Sequence, residues 1–524
     1  MQNWQHGVWL LLGCATLSGQ GSDPLPADRT TGAATISAQD LRIWLTKLTS
    51  PEFAGRGTGQ EGFRKAAEMM RAHFQASGLQ PGFGKDYFQQ VPWKQVVPDP
   101  AKWAFDLSVQ GGKKAHRVEM KHVHGSLVRG LTARGRPYVC ATTDVTDLPL
   151  EGSDLGDSPL FVLVNDRNKL EQRARDRALR NLARAAKDAK ASMVVVVWDV
   201  AYHASAPLSG ISYPALNPAA RGRVMRGATT VLLDRKRFGE MLAAVGTTTE
   251  AVARHSKPQQ LDGELHLDIQ TSLADAPAFN VAAVLPGSDE KLASEYVIVG
   301  CHLDHLGRRG ATYFPGADDD GSGSVGLMAI SRAFAKNAQK PRRSLMFVAF
   351  CGEEMGLIGS GWFARNPPVP LEKVAGELQI DMIGRDEENE RRNERAEDNR
   401  NSLHLVGTKK LSPALHDLCM RLNGRAKFDL EFDEENVFGR SDHFNFARQG
   451  VPIAFFFTGF HRDYHRPTDT VEKINFPKLA RVARYVYDIA FELAQSDTRP
   501  LVDADLWEKM RGKARETPAA GLSK

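Results

Sequence analysis

The chain is poor in cysteine. Five are scattered over 524 residues, at Cys14, Cys140, Cys301, Cys351 and Cys419, and their spacing excludes both a disulfide framework and a CxxC zinc site. Cys301 and Cys351 each end an apolar run and read as small buried hydrophobes; a bridge between them would require neighbouring strands. Charge of one sign is scarce as well. A formal net charge of +5 is too small and too dispersed for a nucleic-acid-binding surface. Long hydrophobic runs are missing from the body of the chain, where nothing approaches the ~18 apolar residues of a membrane span. What remains is an ordinary globular composition, 42% hydrophobic and 25% charged. It is enough for a sizeable core and, at this length, two or three domains.

The N-terminus carries an apolar run from Val8 to Leu17, followed by small and polar residues but not preceded by Lys or Arg. Its length suits the core of a signal peptide rather than a membrane span. Leu11-Leu12-Gly13-Cys14 resembles a bacterial lipoprotein cleavage box, which would place a lipid anchor on Cys14. Residues 1–21 are therefore read as an export signal and 22–35 as a linker, giving a periplasmic or secreted protein. In residues 36–119, Leu41, Trp44, Leu45 and Leu48 form one helical stripe and Ala66, Met69, Met70 and Phe74 a second, with Gly78 at the stop. The AGRGTG stretch between them reads as a helix-to-helix turn.

Residues 120–262 alternate short apolar strands with a basic helical run, and no His, Cys, Asp or Glu cluster has ligand spacing there. They are read as a separate small α/β module without chemistry. From 263 to 496 the pattern changes to continuous apolar strands alternating with helices, which implies a mixed, mostly parallel sheet covered by helices on both faces. The charged stretch Arg385 to Ser402 lacks periodicity and reads as a mobile loop, and 497–524 as a polar tail.

The chemistry-bearing residues follow the apolar runs, where ligands bind in such sheets. His302 and Asp304 lie two apart at a strand end, on one face, and a Gly-rich loop then delivers Asp318, Asp319 and Asp320. Glu353 and Glu354 end another strand and point in different directions, so one can bind metal while the other reaches a metal-held water. Asp381 and His465 follow two more. Two imidazoles and three acids plus a free Glu suit two borderline ions such as Zn²⁺ sharing a bridging carboxylate.

The motifs GCHLDHLG, PGADDDGSGS, FCGEEMGLIGS, QIDMIGR, GRSDH and YHRPTDT closely resemble the M28 family of zinc aminopeptidases. The resemblance covers Ile36 to Gln95 and Phe279 to about Ala494, and the middle module looks like the protease-associated (PA) domain inserted in many members. It implies a zinc-exopeptidase fold and two zinc ions held by His302, Asp319, Glu354, Asp381 and His465, with Asp319 bridging. It also implies that Asp304 orients His302, that Glu353 is the general base, and that Tyr464 stabilises the intermediate, a role other members give to the position of Phe438. His305 and His461 are further imidazoles that the pattern passes over. The expected activity is release of N-terminal residues from peptides. The alternatives are a carboxypeptidase or amidohydrolase, which would need a basic group such as Arg308, Arg309, Arg385 or Arg440, a one-metal glutaminyl-cyclase-like transferase, and an inactive binding protein.

Overall fold

The computed structural model describes residues 31–109, 115–127, 129–144, 150–165, 172–198, 208–215, 229–309, 312–388, 395–432, 435–505 and 507–508. The expected signal segment with Cys14 and most of the expected linker lie outside the described residues.

The larger unit is built on a nine-stranded mixed sheet. Its centre is four parallel strands in the spatial order Ser344–Phe350, Tyr296–His302, Val374–Ile380 and Ile453–Phe457. Phe279–Leu285 flanks them antiparallel on one side, and Ser402–Val406 on the other. Every residue of Ser344–Phe350 and Val374–Ile380 is buried. That is why these strands read as unbroken apolar runs rather than alternating ones.

Alternate side chains serve opposite faces. Val297 and Val299 join the core beneath the helices Ala38–Leu48, Glu61–Ala76, Gly321–Lys336 and Phe476–Gln495, while Ile298 joins Met346, Phe363 and Phe446 on the other side. Gly321–Lys336 is buried almost all round, with the Phe334 ring tilted against Tyr487 at 4.4 Å between ring centroids. The expected mixed α/β architecture is observed.

The smaller unit has a six-stranded sheet whose centre is parallel, in the order Tyr138–Thr142, Leu160–Val164, Met193–Trp198 and Thr229–Asp234. The helix Gln172–Asp188 exposes Arg177, Arg180 and Arg184 and buries Ala178, Leu182 and Ala186, as expected of a solvated basic face. A five-stranded antiparallel sheet packs against it through a shared core that includes Phe105, Leu107, Phe161, Val195 and Leu267. Its two long strands, Trp93–Ser108 and Glu264–Asp275, pair along their length. They carry the unit's sheet out to 93 and 275, wider than the 120–262 expected from apolar strands and helices alone.

Two other expectations are corrected. The ends of the 385–402 stretch are packed: Arg385 is buried against Asp463 at 3.3 Å and Glu387 against His404 at 3.0 Å. Only 389–394 fall outside the described residues. The start of the polar tail is docked, with the Leu501 carbonyl accepting from Ser412 Oγ at 2.8 Å and Asp503 N–H donating to Leu411. Cys140, Cys301, Cys351 and Cys419 are buried free thiols, and no bridge joins Cys301 to Cys351. Among the described residues, no helix is long and apolar enough to cross a membrane.

His73 reports on this packing. It lies against the edge of Trp44, with Nε2 2.8 Å from the Met328 carbonyl, and burial pushes its pKa down to about 4. The folded chain thus binds fewer protons than the unfolded one between pH 4 and 6.5. The stability from neutral His73 is complete above about pH 6.5 and is lost as pH falls towards 4, by about 3 kcal/mol. Replacing His73 with Gln should shrink the fall in thermal midpoint between pH 7 and 4.5; an unchanged fall would refute this.

Candidate metal centre

The carboxyl ends of the four parallel strands converge on one rim. His302 is the last residue of its strand, and Asp381 directly follows Val374–Ile380. Glu353 and Glu354 lie in the turn between Ser344–Phe350 and the helix Ile358–Arg365. His465 lies on the loop after Ile453–Phe457, and Asp319 precedes the helix Gly321–Lys336.

These side chains form two clusters that share Asp319. In one, His302 Nε2 is 3.3 Å from Asp319 Oδ1 and 3.3 Å from Asp381 Oδ1. In the other, His465 Nε2 is 3.1 Å from Asp319 Oδ2 and 3.1 Å from Glu354 Oε2. Glu353 Oε2 reaches to 4.0 Å from His302 Nε2. The two glutamates part as their adjacent positions require.

Backbone N–H groups fix the loops. Asp320 caps its helix at Gly323 N (2.8 Å) and accepts from Met382 N and His302 N, tying three loops together. Asp318 accepts from Gly384 N at 2.7 Å, and Asp469 accepts from the N–H groups of both Asp318 and Asp319. The outer members of the triplet are thus occupied by structure, leaving Asp319 turned inward. Ser441 Oγ donates to Asp381 Oδ2 at 2.7 Å. Met382 and His465 hold left-handed φ values of 53° and 55°, a strain typical of positions fixed for function.

Asp304 differs from expectation in detail. His302 Nδ1 lies 3.0 Å from the Asp304 backbone carbonyl and 3.9 Å from its carboxylate, which instead accepts from Glu353 N at 3.2 Å. The residue therefore sets the imidazole through its main chain and the glutamate turn through its side chain. Tyr464 stacks on His465 at 3.9 Å, and its hydroxyl accepts from Arg440 at 3.2 Å.

Burial opposes a charged His302, but Asp381, Glu353 and Asp319 outweigh it and hold the imidazole well above its ordinary pKa. Against the same opposition, Asp319 and Glu354 raise His465 to about 10. Burial raises Glu353 well above the carboxylate range, with His302 opposing and Glu354 and Asp381 reinforcing. Surroundings that hold a proton this firmly would hold a divalent cation in its place. Asp381 Oδ1, Asp319 Oδ2 and Glu354 Oε1 are buried without a hydrogen-bond partner, so the donor set fits cation binding in both clusters.

Residues 280–490 match the model of peptidase family M28. This stretch is an M28 peptidase domain. Over 224 residues the chain is 29% identical to a probable leucine aminopeptidase of Trichophyton verrucosum, covering 41% of this chain and 57% of that one. Over 227 residues it is 27% identical to leupeptin-inactivating enzyme 1 of Streptomyces exfoliatus, covering 39% and 46%. The chain thus spans about half the length of these relatives. A zinc aminopeptidase from Bacillus subtilis is similar in structure at 17% identity, over 88% of this chain and 96% of that one, with a TM-score of 0.49.

Within and around the M28 domain, sequence reasoning missed several supports. Arg56, read as part of a turn, is fully buried, and its guanidinium donates to the carbonyls of Leu303 (3.0 Å), Pro315 (2.6 Å) and Gly316 (2.9 Å). It clamps the His302 loop to the Asp319 loop. Its only sequence signal is the AGRGTG motif. Asp469 stands within YHRPTDT, and Ser441 within GRSDH, but neither carried a role.

Two predictions follow from this geometry. Arg56→Met leaves three buried carbonyls without donors and should cost ~3 kcal/mol or more. It should also weaken Zn²⁺ binding, readable by calorimetry on the folded variant. Zn²⁺ binding at pH 7 should release protons from His302 and His465, because ligating imidazoles are neutral. The binding enthalpy should then vary with the ionisation enthalpy of the buffer; no variation would contradict the raised pKa values.

Proposed function

We propose that this chain is an exported metallo-aminopeptidase that uses two divalent cations, zinc foremost, and that the 93–275 unit is a PA-like insertion shaping access to the site. One observation carries the reading: donors from five separate loops fall into two clusters sharing the two oxygens of Asp319. His302, Asp319 and Asp381 would hold one ion, and Asp319, Glu354 and His465 the other. Bound there, the cations would lower the pKa of a water and polarise the scissile carbonyl.

The remaining steps belong to the protein. Glu353, across the first cluster from His302, takes the water's proton and returns it to the leaving amine. Asp304 keeps both partners in register, His302 through its carbonyl and Glu353 through its carboxylate. The Tyr464 hydroxyl, which burial, Asp319 and Glu354 keep protonated, donates to the developing oxyanion while Arg440 steadies it. Phe438 and Phe460, half-buried at the edge of the apolar cluster of Met382, Val437, Phe455 and Phe457, stand with Tyr464 on the side of His465 and would favour substrates with an apolar N-terminal side chain.

A second reading, recognition of a substrate carboxylate, rests on Arg440, whose guanidinium lies beside Tyr464 and 4.9 Å above the Phe460 ring. Arg385 is committed to Asp463. Aminoacyl p-nitroanilides against C-terminal reporter peptides separate the two readings.

Glu353→Gln should keep wild-type metal content while turnover of a leucyl reporter falls by ~10²–10⁴-fold. A chelator should abolish wild-type activity and added Zn²⁺ restore it. Full activity in the Gln variant would remove Glu353 from the base role.

A further inference from the structure

His305 is an imidazole at the rim without an assigned role, and it stands against the shared carboxylate Asp319. Its side chain is fully buried, and neither ring nitrogen has a hydrogen-bond partner. Nδ1 lies 2.7 Å from Glu354 Oε1 and 3.6 Å from Asp319 Oδ2, and its ring faces that of His465 edge-on at 5.8 Å. Both of those oxygens are themselves unpartnered. The ring nitrogen and Glu354 Oε1 stand at hydrogen-bonding distance without hydrogen-bonding alignment. Together with Asp319, these groups bring three ligand atoms close enough to share one cation.

The ring is held in that pose from behind. The His305 N–H donates to the Arg56 carbonyl, and Gly316 presses against the ring face, where a Cβ would stand 2.5 Å from Cγ and Cδ2. A buried imidazole with two unmatched nitrogens costs ~1–3 kcal/mol. The share of that cost that falls on Nδ1 disappears if this nitrogen binds a cation.

We propose that His305 is a direct ligand of the second cation subsite through Nδ1, giving that subsite four protein donors: Asp319, Glu354, His465 and His305. The first subsite keeps three, His302, Asp319 and Asp381. The inference rests on the dinuclear reading above and deepens it. The two ions are unequal: the second is bound more tightly and in a more closed sphere, while the first keeps an open position on the side that Glu353 faces.

The experiment is Co²⁺ loading of the purified full chain, read by ¹H NMR of exchangeable imidazole protons shifted by the metal and by calorimetry. The wild type should show three such signals, from His302, His305 and His465, and two should remain in His305→Ala. That variant should lose ~100-fold or more in affinity for one ion, with the other ion unchanged. Loss of a residue that merely orients a ligand costs ~10–100-fold, so the signal count decides. His461→Asn, altering a buried imidazole 3.3 Å from Asp318, should keep three signals. Two signals in the wild type, with two ions bound, overturn the role of His305 alone. No ion bound overturns the metallopeptidase reading itself. If His305→Ala does not fold, the wild-type count still decides.

Discussion

The controlling constraint is the repulsion among carboxylates crowded at one end of a buried sheet. Asp304, Asp318, Asp319, Asp320, Asp381, Asp442 and Asp469 are all buried within the same rim. Each like-charged pair at ~4 Å costs about 4 kcal/mol even at an effective dielectric of 20. A chain can carry such a cluster only by protonating its members, by surrounding them with donors, or by placing cations among them. The first two are visible. Burial raises Asp442 to about 8 and Asp304 to about 6. Backbone N–H groups surround Asp318, Asp320 and Asp469. In the clusters around Asp319, the oxygens Asp319 Oδ2, Glu354 Oε1 and Asp381 Oδ1 have no hydrogen-bond partner.

The division of labour within the Asp318–Asp320 triplet follows from this. Chemically identical neighbours acquire different tasks because the turn before the helix Gly321–Lys336 aims each at a different wall. Two are consumed in holding loops; the middle one, with both oxygens inward, faces the two histidines. Arg56 performs the complementary task from below, a cation among acids whose guanidinium touches only carbonyl oxygens. It balances charge without occupying the donors a metal needs.

Much of this was legible in the sequence. Strands buried on both faces appear as unbroken apolar runs, and in a sheet of this type the reactive residues must follow them; His302, Asp381 and the glutamates could be located for that reason. Arg56 could not, because its acceptors lie 247 to 260 positions away and no local pattern encodes such a meeting. His305 was seen but passed over, since its value depends on a ring orientation set by Gly316. The long strand Trp93–Ser108 was hidden by Pro98 and Pro100, which argue against a strand interior. It tolerates them at a stretch where its pairing with Glu264–Asp275 shifts register.

That strand bears on how the two units communicate. Its first residue, Trp93, packs against Gly352, where an added Cβ would stand 2.9 Å from the indole, and Gly352 immediately precedes Glu353. Thr58 bonds to the Gly352 N–H with its hydroxyl and to Ser212 of the smaller unit with its carbonyl. The smaller unit is therefore mounted on a double-stranded stalk whose foot rests on the glutamate turn. Surgical removal of that unit at residues 120 and 262 would leave both strands of the stalk in place but strip away the sheet and core they pack on; a clean excision has to rejoin the chain on the near side of Trp93 and the far side of Asp275.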